Sequence, residues 1–230
     1  MSKTRKERVD LHNHSSRSHD AITTLADYER AHAEGRFDVL SITDHNRIDG
    51  ALAFAEQATF PFIVGQEITT ADGEVIGLFL ERHIERDLPA IETAERIRAQ
   101  GGLVYLAHPF HRLVRRPITA TGLRLLLEHN LVDVVEGLNG GPFMRRANDR
   151  AQALARLHQL PVGAGSDAHA PAEIGRCVAV VDPGPLSPRS LKARLTAATL
   201  IDRRPSSIEI LGGKLSTRLR RLGRPPEPPA

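Results

Sequence analysis

Arg8-Val-Asp-Leu-His-Asn-His14 reads as a short strand, predicted over Arg8–His12, that runs out of apolar residues into histidines. Side chains two apart on a strand share a side and sit roughly 6–7 Å apart, so His12 and His14 face one place. The same ending recurs along the chain. Val39-Leu-Ser-Ile-Thr-Asp-His45, Phe62-Ile-Val-Gly-Gln-Glu67, Leu103-Val-Tyr-Leu-Ala-His-Pro109 and Val162-Gly-Ala-Gly-Ser-Asp-Ala-His169 each begin as a buried-type strand and end on a histidine or carboxylate. Between them lie helix candidates over 25–34, 50–57, 88–100, 123–129, 144–158 and 187–198. Thr24 is a natural N-cap for the first, and Gly101-Gly102 stops the third. Further strands are expected over Val75–Leu80, Val132–Leu138 and Val178–Val181. Strand–helix alternation with short links argues an α/β fold with a mostly parallel sheet. One exception is Thr69-Thr-Ala-Asp-Gly73, a turn joining Phe62–Glu67 to Val75–Leu80 as a hairpin. In such folds sites form at the carboxyl ends of strands, where every one of these polar clusters falls.

Composition narrows the alternatives. At 230 residues the chain suits one domain with a sizeable core. No apolar run approaches the ~18 residues of a membrane span. The charged N-terminus lacks the apolar stretch of a secretory signal. One cysteine, Cys177, excludes an internal disulfide and a thiolate zinc cluster. A cytoplasmic protein is expected. The sequence pI of about 9.4 comes from the ends. Lys214, Arg218, Arg220, Arg221 and Arg224 face only Glu227, and Lys3, Arg5, Lys6 and Arg8 face only Glu7. The body between is mildly acidic, which argues against a phosphate-tracking surface and a stable nucleic-acid complex. Residues 1–213 are therefore read as the domain and residues 214–230 as a basic, proline-rich tail.

Imidazole nitrogen and carboxylate oxygen together suit zinc, manganese and iron. Any one cluster has an ordinary explanation: a surface histidine pair, an N-capping Asp44, a solvated His45. Five strand ends with such residues do not share one. Glu67, closing an apolar strand, would be a costly buried charge without cations beside it. Asp44 is expected to orient a neighbouring imidazole, and Ser166 to cap the segment after it.

The strings Asp10-Leu-His-Asn-His14, Thr43-Asp-His45, Gly65-Gln-Glu67, Ala107-His-Pro109 and Gly165-Ser-Asp-Ala-His169 resemble, in order, those of the polymerase and histidinol phosphatase (PHP) family. The likeness runs from about residue 8 to residue 181. It implies a distorted seven-stranded (β/α) barrel, two or three divalent metals (manganese, zinc or iron) and phosphoesterase chemistry. By motif, His12, His14, Glu67 and Asp167 would hold one metal, and Glu67 would bridge to a second on His108. His45 and His169, with His19 or Asp20, would hold a third; of the two, His19 is preferred. Where many members add a histidine, this chain has Glu136-Gly-Leu-Asn139, so Glu136 or Asn139 is a candidate substitute.

The expected activity is hydrolysis of a small phosphomonoester, a nucleotide or sugar phosphate, by a metal-activated hydroxide. Glu67, Asp167 and His111 are the candidate catalytic residues. Arg17, Arg47 and Arg112 are the candidate phosphate contacts, with Arg116, Arg145 and Arg146 behind them. A phosphodiesterase or exonuclease acting on short oligonucleotides, and a non-catalytic metal-binding domain, are the competing readings.

Overall fold

The computed structural model describes residues 5–111 and 116–203. Among these residues nine strands form one sheet: β1 (Glu7–Asp10), β2 (Val39–Ile42), β3 (Phe62–Thr70), β4 (Gly73–Leu78), β5 (Leu103–Leu106), β6 (Val134–Asn139), β7 (Val162–Gly165), β8 (Cys177–Val181) and β9 (Thr199–Asp202). The order is β7-β6-β5-β4-β3-β2-β1-β8-β9. The pairs β1/β2, β2/β3, β5/β6 and β6/β7 are parallel, whereas β4 lies antiparallel between β3 and β5.

The sheet curls until β7 meets the exit of β1. Leu11 N–H donates to the Ala164 carbonyl at 2.9 Å and Asp167 N–H to the His12 carbonyl at 2.8 Å, with a parallel bridge between Asn13 and Ala168. The sheet is thus a nearly closed barrel of the class that the family likeness implies, with nine strands where seven were expected. It is distorted because β1 shares one edge between two partners. Its first half pairs antiparallel with β8, through Glu7, Arg8 and Val9, and only its exit touches β7. The β9 strand, which sequence reading missed, covers the far edge of β8.

Packing follows the period-two pattern of the strands. Val9, Leu11, Val39, Ile63, Ile76, Tyr105, Val134, Ala164 and Cys177 fill one buried cluster. Among the described residues six α-helices cover the outside: α1 (Leu25–Ala33), α2 (Asp49–Ala55), α3 (Ala90–Ala99), α4 (Ala120–Glu128), α5 (Arg145–Leu157) and α6 (Pro188–Leu195). Thr24 caps α1 in a reciprocal box with Asp27. On α5, Ala147, Ala151 and Ala155 are the buried residues at every fourth position, small side chains that let the helix lie close to the sheet. None of the described helices is long and apolar enough to cross a membrane. The expected boundary at residue 213 and the tail beyond it lie outside the described residues.

Candidate metal centre

Every ligand-type cluster emerges on one rim. The β1 exit carries His12 and His14, the β2 exit His45, β5 His108 and β7 Asp167 and His169. Glu67 reaches the same place from the middle of β3, which continues to Thr70 as a hairpin arm instead of ending at Glu67. The first and last clusters touch: the His14 and His169 rings are 4.2 Å apart between centroids, and His14 and His45 4.5 Å.

Glu67 sits at the centre, 1% exposed. Its Oε2 lies 3.0 Å from His45 Nδ1 and 3.4 Å from both His12 Nε2 and His14 Nε2; its Oε1 lies 3.0 Å from His108 Nε2. Asp167 Oδ1 approaches His14 Nε2 at 3.3 Å and His12 Nε2 at 3.5 Å. At the outer corner Asp20 Oδ2 lies 3.2 Å from His45 Nε2 and 3.2 Å from His169 Nε2. Asp20 is the carboxylate placed at this corner. His19, the residue preferred from sequence, also lines the cleft, with its ring 5.5 Å from that of His45 between centroids, but its side chain is 67% exposed.

Several carboxylates set this geometry from behind. Glu136, buried on β6, accepts at Oε1 from His12 Nδ1 (3.0 Å) and at Oε2 from the His108 backbone N–H (2.6 Å) and Asn139 Nδ2 (3.1 Å). Glu136 and Asn139 thus do not take the place of the extra histidine. Glu136 fixes the His12 tautomer so that Nε2 faces the centre. Asp44 does not orient an imidazole as expected. It accepts from the Ser15 backbone N–H and hydroxyl, both at 2.6 Å, and so clamps the loop after His14. Asp10 likewise accepts from Ser166 N–H at 2.9 Å and Gly175 N–H at 3.2 Å, pinning the turn before Asp167; Ser166 serves that clamp and does not cap a helix. His108 (φ 25°) and Asp167 (φ 51°) adopt left-handed backbone conformations, which non-glycine residues hold only when the surroundings force them. At Gly165 an added Cβ would stand 2.2 Å from His12 Cβ, so only glycine lets β7 come this close to β1.

The electrostatics fit a cation site. Among the described residues no lysine or arginine pairs with Glu67, Asp167 or Asp20; their ion-pair partners are imidazoles. Burial works against charge on His45, yet Glu67 and Asp20 outweigh it and lift it to about 11. His169 is lifted to about 9 against its burial by Asp20 and Asp167. His14 is pushed down to about 3 by burial and by His169 and His45. Despite burial, Glu67 and Asp167 are held well below the usual carboxylate range by the facing histidines. Protons on imidazoles here balance charge that cations can balance instead. His14 Nδ1 and His108 Nδ1 are buried without a hydrogen-bond partner. Among the described residues, four overlapping sets of donors lie close enough to hold an ion: His14, Asp20, His45 and His169; His12, His108 and Asp167; His12, His14 and Glu67; and His45, Glu67 and Glu74.

The centre floors a cleft of about 710 Å³, whose lining includes Arg17, Arg47, Arg86 and Arg116. Arg86 was not singled out from sequence. Arg47 is also held by Asp49, at 2.9 Å through two nitrogens. Arg145 and Arg146 lie on the first turn of α5, outside this lining. Arg112 lies outside the described residues. His111 is buried just behind His108, to whose carbonyl its N–H donates at 3.0 Å; burial and His108 hold its ring below the ordinary histidine range.

Comparison with known proteins agrees with this architecture. A family model described as PHP-associated matches residues 145–200. An uncharacterized protein of Methanocaldococcus jannaschii is 35% identical over 171 residues, covering 73% of this chain and 68% of the relative. Among solved structures, the chain is similar to a two-domain protein from Bacteroides vulgatus containing a predicted PHP-like metal-dependent phosphoesterase. Its TM-score is 0.66 at 17% identity, with 86% of this chain matched. The chain spans 65% of that protein's length. It is also similar to the lesion-specific endonuclease PfuEndoQ of Pyrococcus furiosus, with a TM-score of 0.59 at 16% identity over 86% of this chain and 58% of that one. The ligand strings, the barrel that unites them and the sequence relative agree, and the chain belongs to the PHP family.

Proposed function

We propose that the protein is a metal-dependent phosphoesterase that hydrolyses a small phosphomonoester, a nucleotide or sugar phosphate. The observation that carries this reading is eight nitrogen and carboxylate donors converging on the floor of a cleft that arginines rim. His12, His14, Glu67 and Asp167 would hold one divalent ion, Glu67 and His108 a second, and Asp20, His45 and His169 a third. Bound there, manganese, zinc or iron would supply a water of lowered pKa and positive charge for the phosphoryl oxygens.

The chain's own residues do the rest. Glu136, Asp44 and Asp10 hold the donors in place before substrate arrives, which avoids reorganisation during reaction. Arg17 and Arg47 would bind phosphate oxygens, for which the planar guanidinium is suited, and Arg86 and Arg116 extend that anion-attracting wall. Asp167 lines the cleft and is held as a carboxylate by the facing histidines, so it is better placed than His111 to take a proton from the attacking water. A compact substrate needs only this local positive charge, whereas the mildly acidic body repels a long polyanion.

The competing reading is a nuclease, favoured by the likeness to an endonuclease and by metals that stabilise either leaving group. Turnover of a nucleoside monophosphate, a 5′-phosphorylated dinucleotide and an unphosphorylated dinucleotide, each with added manganese, decides between them. Release of inorganic phosphate from the monophosphate is the expected result. Cleavage of the unphosphorylated dinucleotide with no phosphate release from either monoester supports the nuclease.

A further inference from the structure

Glu74 is the one rim carboxylate that neither the sequence motifs nor the roles above account for. It begins the returning arm of the β3–β4 hairpin, paired in register with Thr69. Thr69 is two residues on from Glu67, and alternate strand residues share a face, so Glu67, Thr69 and Glu74 look into the same cleft. The hairpin tip is locked in place. Gly73 (φ +123°) packs so tightly that an added Cβ would stand 2.3 Å from Ile118 Cα, and Glu74 N–H donates to the Arg116 carbonyl at 3.1 Å.

Glu74 is 6% exposed. None of the hydrogen bonds or ion pairs among the described residues engages its carboxylate. A carboxylate oxygen of Glu74, one of Glu67 and a ring nitrogen of His45 all lie within 4.8 Å of one another. Two carboxylates that close repel, and although imidazoles face Glu67, no lysine or arginine among the described residues pairs with either carboxylate. A divalent ion between them would relieve the repulsion.

We propose that Glu74 is an additional metal ligand, holding with Glu67 and His45 a hard divalent ion on the cleft wall. Two carboxylate oxygens and one imidazole favour manganese or iron over zinc, which prefers nitrogen- and sulfur-rich sets. The inference rests on the metal-centre reading above and adds to it a donor that the motifs do not contain. It also places a ligand on the hairpin, so that metal occupancy and hairpin position are linked.

The test is manganese binding to chelator-stripped protein, followed by calorimetric titration and by thermal melting, for the full-length wild type, Glu74→Gln and Glu67→Gln. Glutamine keeps the shape and removes the charge. For Glu74→Gln the expected result is at least about a tenfold loss of affinity at one site. Its metal-free melting temperature should equal or exceed that of the wild type, because a buried repulsion is gone. Its gain in melting temperature on adding manganese should shrink. An isotherm identical to wild type while Glu67→Gln loses binding overturns the inference and leaves the metal centre standing. Absence of manganese binding by the wild type itself overturns both.

Discussion

The two ends of the barrel handle charge in opposite ways. At the end away from the cleft, Asp38, Glu7 and Asp133 each have a cation of their own. Asp38 accepts from Arg8 Nε at 2.8 Å, Glu7 pairs with Arg194 at 2.6 Å, and buried Asp133 takes Lys192 at 2.6 Å and Arg98 at 3.0 Å. At the rim, the only charged-type side chains that Glu67, Asp167 and Asp20 meet at 3.0–3.5 Å among the described residues are imidazoles. The first end is neutralised within the chain. The second is built from groups that titrate or take a cation, which is what a metal centre needs before the metal arrives. A substitution at the far end should therefore change stability and spare chemistry, and one at the rim should do the reverse.

The largest effect belongs to Glu67→Gln. It removes the carboxylate that faces four histidines, so phosphoesterase turnover should fall to background while circular dichroism stays native. Wild-type turnover in that variant breaks the contrast. Next comes Gly165→Ala, whose methyl group would sit on His12 Cβ. Overpacking of this kind costs about 1–3 kcal/mol, and here the displaced residue is a ligand, so melting temperature and metal content should fall together. A loss of stability with full metal content would detach β7 packing from the site.

Glu136→Gln sharpens the comparison from behind the rim. It keeps a hydrogen-bond acceptor for His12 but removes the charge, and loss of such an outer partner typically lowers metal affinity or activity by about 10–100-fold. The smallest effect is expected at the far end. Burial alone would raise the Asp38 carboxyl, but Arg8 and Arg5 outweigh it and hold it below the usual value. A depressed carboxyl stabilises the fold above its unfolded pKa and ceases to do so as pH falls through the lowered value. Asp38→Asn should thus lower the melting temperature at pH 7, with the difference from wild type vanishing in acid, and leave turnover unchanged. A gap that persists at low pH, or altered turnover, would contradict that assignment.

Much of the architecture was legible in the sequence because strand ends and ligands coincide. His12, His14, His45, His108, Asp167 and His169 each follow an apolar run that stops at the rim, and Glu67 lies within one that runs on to Thr70. What escaped depends on contacts distant in sequence. Choosing Asp20 over His19 turns on how the loop after His14 folds, and that loop is fixed by Asp44 from 29 residues away. Glu136 looked like a replacement ligand because a strand end carried it; only the approach of β1 to β7 and β6 turns it toward His12. Glu74 sits on a hairpin arm with no motif around it. The β9 strand is four residues long with both ends exposed, too short to announce itself by pattern.

The central claim is that this rim is a multinuclear metal centre. Elemental analysis of the purified wild-type protein, after incubation with manganese and removal of excess ion, tests it most directly. The account predicts at least two manganese ions per chain. Fewer than one ion per chain in correctly folded protein would contradict it.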